Sequence, residues 1–310
     1  MSDLRLASTV ILLRGGLPPG AIQGPTNLEV LLLRRHASMR TFRNLWVFPG
    51  GQVDAEDSST QALECIAIED RDVCARAICA DRLAEDSIAA ERALGFWIAA
   101  CRETYEEAGV LLVRRDDGAT PDPRQLSHWH GRQPEFHGKS LDFFAALRRE
   151  SLKFDVRALL CWSRWVTPNR AARRFDTLFF AAALPLGSEV RFDTNEAIES
   201  RWIDPQSVRA EEENAELILA PPTIVTLKDI ARAARQHGTP AALLARERGR
   251  RIEPIQPKTV SVDGKILAVF PWDAEFASLE GQSLSQPSEL PPDFRDLPSR
   301  LTARSELRGG

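Results

Sequence analysis

Two short apolar runs open the chain and predict strands. Residues 6–13 read Leu-Ala-Ser-Thr-Val-Ile-Leu-Leu, too short a run to cross a membrane, and the glycines at 15 and 16 end it. Residues 28–34 predict a second strand, apolar enough to be buried on both faces. The Gly- and Pro-rich stretch 15–26 between them reads as a loop. A third strand, Leu45-Trp46-Val47-Phe48, runs into Pro49-Gly50-Gly51. The period then changes from two to between three and four. Leu94, Ile98, Cys101, Tyr105 and Ala108 recur at helical spacing and predict one amphipathic helix over 89–110, with Ser87 as its cap and Gly109 as its left-handed exit. Strand patterns return at 111–114, 159–166 and 175–182. Helices follow at 221–237, opened by Pro221-Pro222, and at 240–248, and a hairpin is expected over 255–271 around Asp263-Gly264. Two stretches interrupt this alternation. One, over about 58–87, predicts one or two short helices; the other, over about 116–157, includes a helix capped by Ser140. Beyond Asp273 the apolar periodicity fades, and 273–310 is expected to be disordered, leaving one domain over 1–272.

Composition changes the picture only by exclusion. A chain of 310 residues with 43% hydrophobic and 27% charged residues is an ordinary globular protein with room for a large core. A net charge of −4 gives no basic field for nucleic acid, and no later apolar run suits a membrane. Five cysteines, an odd number without C-x-x-C spacing, fit a reducing cytoplasm better than a disulfide framework.

The chemistry concentrates at the end of the long helix, in Arg102-Glu103-Thr104-Tyr105-Glu106-Glu107-Ala108-Gly109-Val110. Glu103, Glu106 and Glu107 fall opposite the apolar stripe, three carboxylates pointing the same way from adjacent turns. Such a cluster is either a solvated face or a site for a hard divalent cation such as Mg²⁺. Arg102 lies four residues before Glu106 and can orient it. The Gly50-Gly51 turn is a place where backbone approaches a phosphate or a metal. Arg35, Arg40 and Arg43 lead into that turn and suit a phosphate fork or a solvated connector. Arg174 is open in the same way, to phosphate or to a basic strand entry. Glu196 is a candidate supplementary base or metal ligand. His128, His130 and His137 lack carboxylate or cysteine partners at zinc-like spacing.

Together Gly51, Asp57 and the run from Arg102 to Val110 resemble the Nudix box, in which a Gly and, six residues on, an acid precede R-E-U-x-E-E-x-G-U, U being aliphatic. Here Asp stands at the first acid, and residues 58–101 replace the usual seven-residue gap. An interrupted box, with Arg35, Arg40 and Phe48-Pro49-Gly50-Gly51 ahead of it, resembles the coenzyme A diphosphatase branch. The resemblance implies an α/β fold, a Nudix α/β/α sandwich with a mixed sheet, enlarged by two mainly helical insertions. It implies Mg²⁺ or Mn²⁺ on Glu103, Glu106 and Glu107, with Glu103 and Arg102 catalytic. Arg35, Arg40, Gly50, Gly51 and Arg174 would hold the substrate, with Asp57 and Gly109 supporting the motif. The activity expected is hydrolysis of the coenzyme A or acyl-coenzyme A phosphoanhydride to 3′,5′-ADP and a 4′-phosphopantetheine. ADP-ribose or a dinucleotide is the rival substrate class, and a non-catalytic nucleotide sensor the rival function.

Overall fold

A computed structural model describes residues 4–15, 28–39, 43–78, 90–169, 171, 173–208, 217–262, 265–280 and 301–303. Ser87, Arg40, and most of the tail lie outside them. Strands β1 (Leu4–Gly15) and β2 (Leu28–Arg35) form the middle of an eight-stranded sheet. Alternate residues of both are buried on opposite faces. Val10, Leu12, Leu31 and Leu33 join one apolar cluster, and Ile11, Leu13, Val30 and Leu32 the other. This is the two-sided burial expected of a central strand in a layered α/β fold. On its outer side β1 pairs in parallel with β8 (Arg174–Ala183), which continues antiparallel to β7 (Leu160–Val166).

The other side of β1 is split. Its C-terminal end, residues 13–15, pairs with β2, while residues 7–9 pair with β4 (Gly50–Gln52). Strand β3 (Trp46–Val47) pairs with β2 at Leu33 and Arg34 instead. The segment 46–52 therefore crosses from one arm of the fork to the other, and the Gly pair sits on the β1 arm. The outer edge of β2 carries β9 (Ala197–Ile203), antiparallel.

Five early helices lie on or around one face: α1 (Thr60–Leu63), α2 (Ile68–Ile78), α3 (Ala90–Ala108), α4 (Pro123–Trp129) and α5 (Gln133–Phe136), followed by α6 (Ser140–Arg149). The face opposite is covered by α7 (Pro221–Ala234) and α8 (Pro240–Arg246). The result is the expected sandwich with a mixed sheet. The second insertion is stapled to the back of α3 by aromatic packing. Tyr105 stacks on Phe143 at 5.2 Å between ring centres and meets Trp129 edge-on at 5.6 Å, and its hydroxyl donates to the Trp129 carbonyl at 2.8 Å. The first insertion is tied to the chain beyond α3 by Asp70, which is buried and receives both Arg114 and Arg157.

Two sequence expectations change. Ser140 is the first residue of α6, not its cap; Lys139 holds the cap position and Ser140 is buried. The segment after Asp273 is not wholly without order. The Asp273 carboxylate accepts from the Phe270 N–H at 2.8 Å, Phe276 is buried beneath the Lys258 ammonium, and β13 (Leu301–Ala303) pairs with β12 (Lys265–Val269). Single apolar anchors of this kind carry no periodicity for a sequence reading to register.

Candidate active site

The carboxylate side of α3 is buried, although the amphipathic pattern places it opposite the apolar stripe. Glu106 and Glu107 are 7% and 6% exposed. Two elements cover them. The β3–β4 crossing lies over Glu103 and Glu107. The loop before β9 docks on the helix end, where the N–H groups of Arg191 and Asp193 donate to the carbonyls of Ala108 and Glu107 at 2.9 and 3.1 Å. Those carbonyls have no partner within the helix, so the loop satisfies them as a cap would. Gly109 makes the exit with φ of +70°, and a side chain there would strike Gln133.

The Gly pair positions two of the carboxylates. The Gly50 N–H donates to Glu107 at 2.8 Å. At Gly51 the Glu103 carboxylate occupies the space a side chain would need, since a Cβ would lie 2.3 Å from its carboxyl carbon. Asp57 is brought back to the helix across the insertion. Its carboxylate is completely buried and receives the Arg102 fork, Nε and one terminal nitrogen each at 2.9 Å. The same guanidinium donates to Glu103 at 2.7 Å, to the Gln52 carbonyl at 3.1 Å and to Glu106 at 3.5 Å. Arg102 is 2% exposed, so it acts through the carboxylates it aligns and not on a substrate. These contacts suit a positioning part for Arg102, the residue expected to be catalytic with Glu103.

The predicted substrate arginines separate. Arg35 reaches the cluster, but its terminal nitrogens face Glu107 at 3.4 Å and Glu196 at 3.8 Å, and its buried Nε has no partner among the described residues. Its charge is directed at carboxylates first, which a phosphate-contact reading did not foresee. Arg174 pairs in register with Leu4, while Gly51 pairs with Ser8, so the two lie about 13 Å apart along β1. Its Nε points at the Thr167 carbonyl, and the fold does not bring it to the carboxylates. Arg40 is outside the described residues.

Burial dominates the electrostatics. Loss of water raises Glu103, Glu106 and Glu107 above the usual carboxylate range, Glu106 to about 7, with Arg102 opposing the shift at Glu103 and Glu106 and Arg35 at Glu107. Burial also raises Asp57, which the Arg102 fork partly offsets. Mutually repelling, desolvated carboxylates on adjacent turns of one helix end form a hard, all-oxygen donor set. That set fits a divalent cation of the Mg²⁺ or Mn²⁺ kind.

Sequence reasoning missed Asp193. Its signal was the Asp-Thr-Asn-Glu run, in which the Asp193 carboxylate accepts from the Asn195 N–H at 2.8 Å and fixes the turn that delivers Glu196.

The model of the NUDT19 Nudix domain matches residues 4–230. The chain belongs to the Nudix hydrolase family. It is 30% identical to acyl-coenzyme A diphosphatase NUDT19 of Gallus gallus over 258 residues, 72% of this chain and 67% of that protein. It is 27% identical to the Homo sapiens protein of the same name, over 75% of this chain and 70% of that one. The Xenopus laevis counterpart is 25% identical and covered over 63% of its length, so the chain spans about two thirds of these relatives. Among solved structures it resembles a Nudix hydrolase from Alicyclobacillus acidocaldarius, with a TM-score of 0.53 and 26% identity over 76% of this chain and 94% of that one. As a Nudix hydrolase the chain is an enzyme that cleaves phosphoanhydrides, and such enzymes generally need divalent ions. No described helix is long and apolar enough to cross a membrane.

Proposed function

We propose that this Nudix hydrolase cleaves coenzyme A or an acyl-coenzyme A at its phosphoanhydride, giving 3′,5′-ADP and 4′-phosphopantetheine or its acyl form. The observation that carries the hydrolytic reading is the convergence of Glu103 and Glu107 on Gly50-Gly51, with Glu106 beside them on Arg102, across a 44-residue interruption, positions 58–101. The named acyl-coenzyme A diphosphatases support the substrate class.

Glu103, Glu106 and Glu107 would hold the divalent ion, Mg²⁺ or Mn²⁺. When bound there it offsets the charge of the diphosphate and makes a water nucleophilic near neutral pH. The chain's own groups supply the positioning. Arg102 fixes Glu103 through the 2.7 Å hydrogen bond, and the absence of a side chain at Gly51 leaves the space that carboxylate occupies. Glu103 is the base in this reading, accepting the water proton at a carboxylate oxygen as the water oxygen attacks phosphorus. The bridging P–O bond breaks, leaving two phosphate monoesters. Gly50 holds Glu107 by its N–H, and Arg35 balances charge at Glu107 and Glu196. Asp57 and Gly109 support these positions through the Arg102 fork and the helix exit. The four described cysteines are free and buried, which supports a cytoplasmic setting.

The test is kcat/KM with Mg²⁺ or Mn²⁺ for coenzyme A, an acyl-coenzyme A, 3′-dephospho-coenzyme A and ADP-ribose. Coenzyme A or its thioester is expected to be best. A clear preference for ADP-ribose moves the assignment to the rival substrate class, and no turnover of any diphosphate with either ion leaves the sensor reading.

A further inference from the structure

Beside the helix carboxylates, and joined to them where Glu196 meets Glu107, three other groups converge. One ligand atom each from His137, Asp193 and Glu196 lies within 4.8 Å of the others. His137 follows α5 in the second insertion, and the two acids come from the loop before β9. That loop is rigidly placed. The Asp193 N–H is held by Glu107, and the Asp193 carbonyl accepts from the N–H groups of Glu196 and Ala197 at 3.2 and 2.9 Å. Asn195 donates twice to Asp193 Oδ1, which leaves Oδ2 facing the imidazole.

One ligand atom from each residue lies within 4.8 Å of the others, close enough for one ion once a single imidazole nitrogen is turned toward both acids. Asp193 Oδ2 is 3.4 Å from His137 Nδ1, and Glu196 Oε1 is 3.9 Å from Nε2. Charge-assisted hydrogen bonds are tighter, at about 2.7–2.9 Å. Ligand bonds of about 2.1 Å give ligand-to-ligand separations of about 3.0 Å between octahedral neighbours and about 3.4 Å in a tetrahedron. Glu196 also meets the Glu107 carboxylate, so negative charge accumulates there with Arg35 as the nearby counter-charge.

We propose that His137, Asp193 and Glu196 form an auxiliary cation site beside the helix carboxylates, selective for Mn²⁺ or Zn²⁺ over Mg²⁺. The imidazole sets that preference, because nitrogen ligands suit borderline ions while Mg²⁺ keeps to oxygen. Three protein ligands leave further positions open to water or to an anionic group of a bound substrate. The second insertion thereby contributes a residue beside the helix carboxylates. The site goes beyond the proposed reaction and requires none of Glu103, Glu106 or Glu107.

The experiment uses the full chain stripped of metal and titrated with Mn²⁺, free ion being read by electron paramagnetic resonance, with Zn²⁺ as competitor. Wild type is compared with His137→Ala, Asp193→Asn and Glu106→Gln. His137→Ala is expected to lose one equivalent of Mn²⁺, or to weaken it at least about tenfold. Mg²⁺ binding by calorimetry stays unchanged, and Zn²⁺ displaces that equivalent from wild type only. His137 is half exposed, so its loss leaves the fold intact, and Asp193→Asn keeps the backbone anchor and gives a second measure. Unchanged Mn²⁺ stoichiometry and affinity in both variants would overturn the proposal and leave the three residues as an ion pair. Equal loss of Mg²⁺ in His137→Ala would overturn the selectivity. Glu106→Gln separates the two sites, since it should weaken the helix ion while sparing this one.

Discussion

Glu106 should make the metal-free enzyme less stable as the pH rises. Its carboxyl is 7% exposed, and desolvation lifts it from 4.5 to about 7 against the pull of Arg102. Between those values the folded state holds a proton that the unfolded state has lost. Stability is therefore greatest below about pH 4.5 and declines as pH passes through about 7. At 1.36 kcal/mol per pH unit the decline is on the order of 3 kcal/mol. Gln is a neutral mimic of the protonated side chain and keeps an oxygen for the Arg102 nitrogen at 3.5 Å. Glu106→Gln should thus stabilise the protein at pH 8 in EDTA by up to about 3 kcal/mol, the difference closing near pH 4.5. The assay is urea unfolding across this range. Adding Mg²⁺ should reverse the order, stabilising wild type more than the variant, because only wild type offers the third charge. The same substitution should lower kcat by about 10²-fold or more, as for loss of a positioned electrostatic group. Identical urea midpoints from pH 4.5 to 8 in EDTA would refute the reasoning, since the carboxylate would then not be desolvated at all.

Two further perturbations separate site from fold. Gly51→Ala forces a Cβ against the movable end of Glu103, so it should lower kcat with little change in the urea midpoint, whereas Gly50→Ala meets the Ser8 carbonyl oxygen at 2.3 Å and the Thr9 Cα at 2.6 Å and should destabilise by about 1–3 kcal/mol or more. Equal stability losses in the two would show that Glu103 is not the group filling the Gly51 space. Arg102→Ala should cost roughly 3–5 kcal/mol in urea unfolding, because it strands the buried Asp57 carboxylate. Pairing it with Asp57→Asn should restore part of that loss; no recovery in the double variant would mean the cost lies in packing.

What the sequence disclosed follows from where the interactions run. The long helix, the two central strands and the carboxylate spacing are local patterns, and a period of 2 or 3.6 reports them directly. The contacts that complete the site join distant segments. Asp57 meets Arg102 across 45 residues, Gly50 meets Glu107 across 57, and Arg35 meets Glu107 across 72. No window of sequence holds such a pair, and only the box resemblance linked the first of them. The same limit explains why the two arginines part. Arg35 and Arg174 have the same chemistry in sequence, but strand register sends Arg35 into the acidic cluster and Arg174 toward the Thr167 carbonyl.

The buried face of α3 shows why amphipathicity misleads at a catalytic helix. A polar stripe normally marks solvent, because an uncompensated carboxylate is costly inside a protein. Here a docked loop and a crossing turn cover that stripe, and the cost appears as raised carboxyl affinities for protons. A group held above its usual proton affinity by desolvation gains most when a cation replaces the lost water. The burial that destabilises the free enzyme at high pH is then what makes its metal affinity rise over the same range. Stability in EDTA and affinity for Mg²⁺ should therefore move in opposite directions as pH rises through about 7, with Glu106 contributing to both.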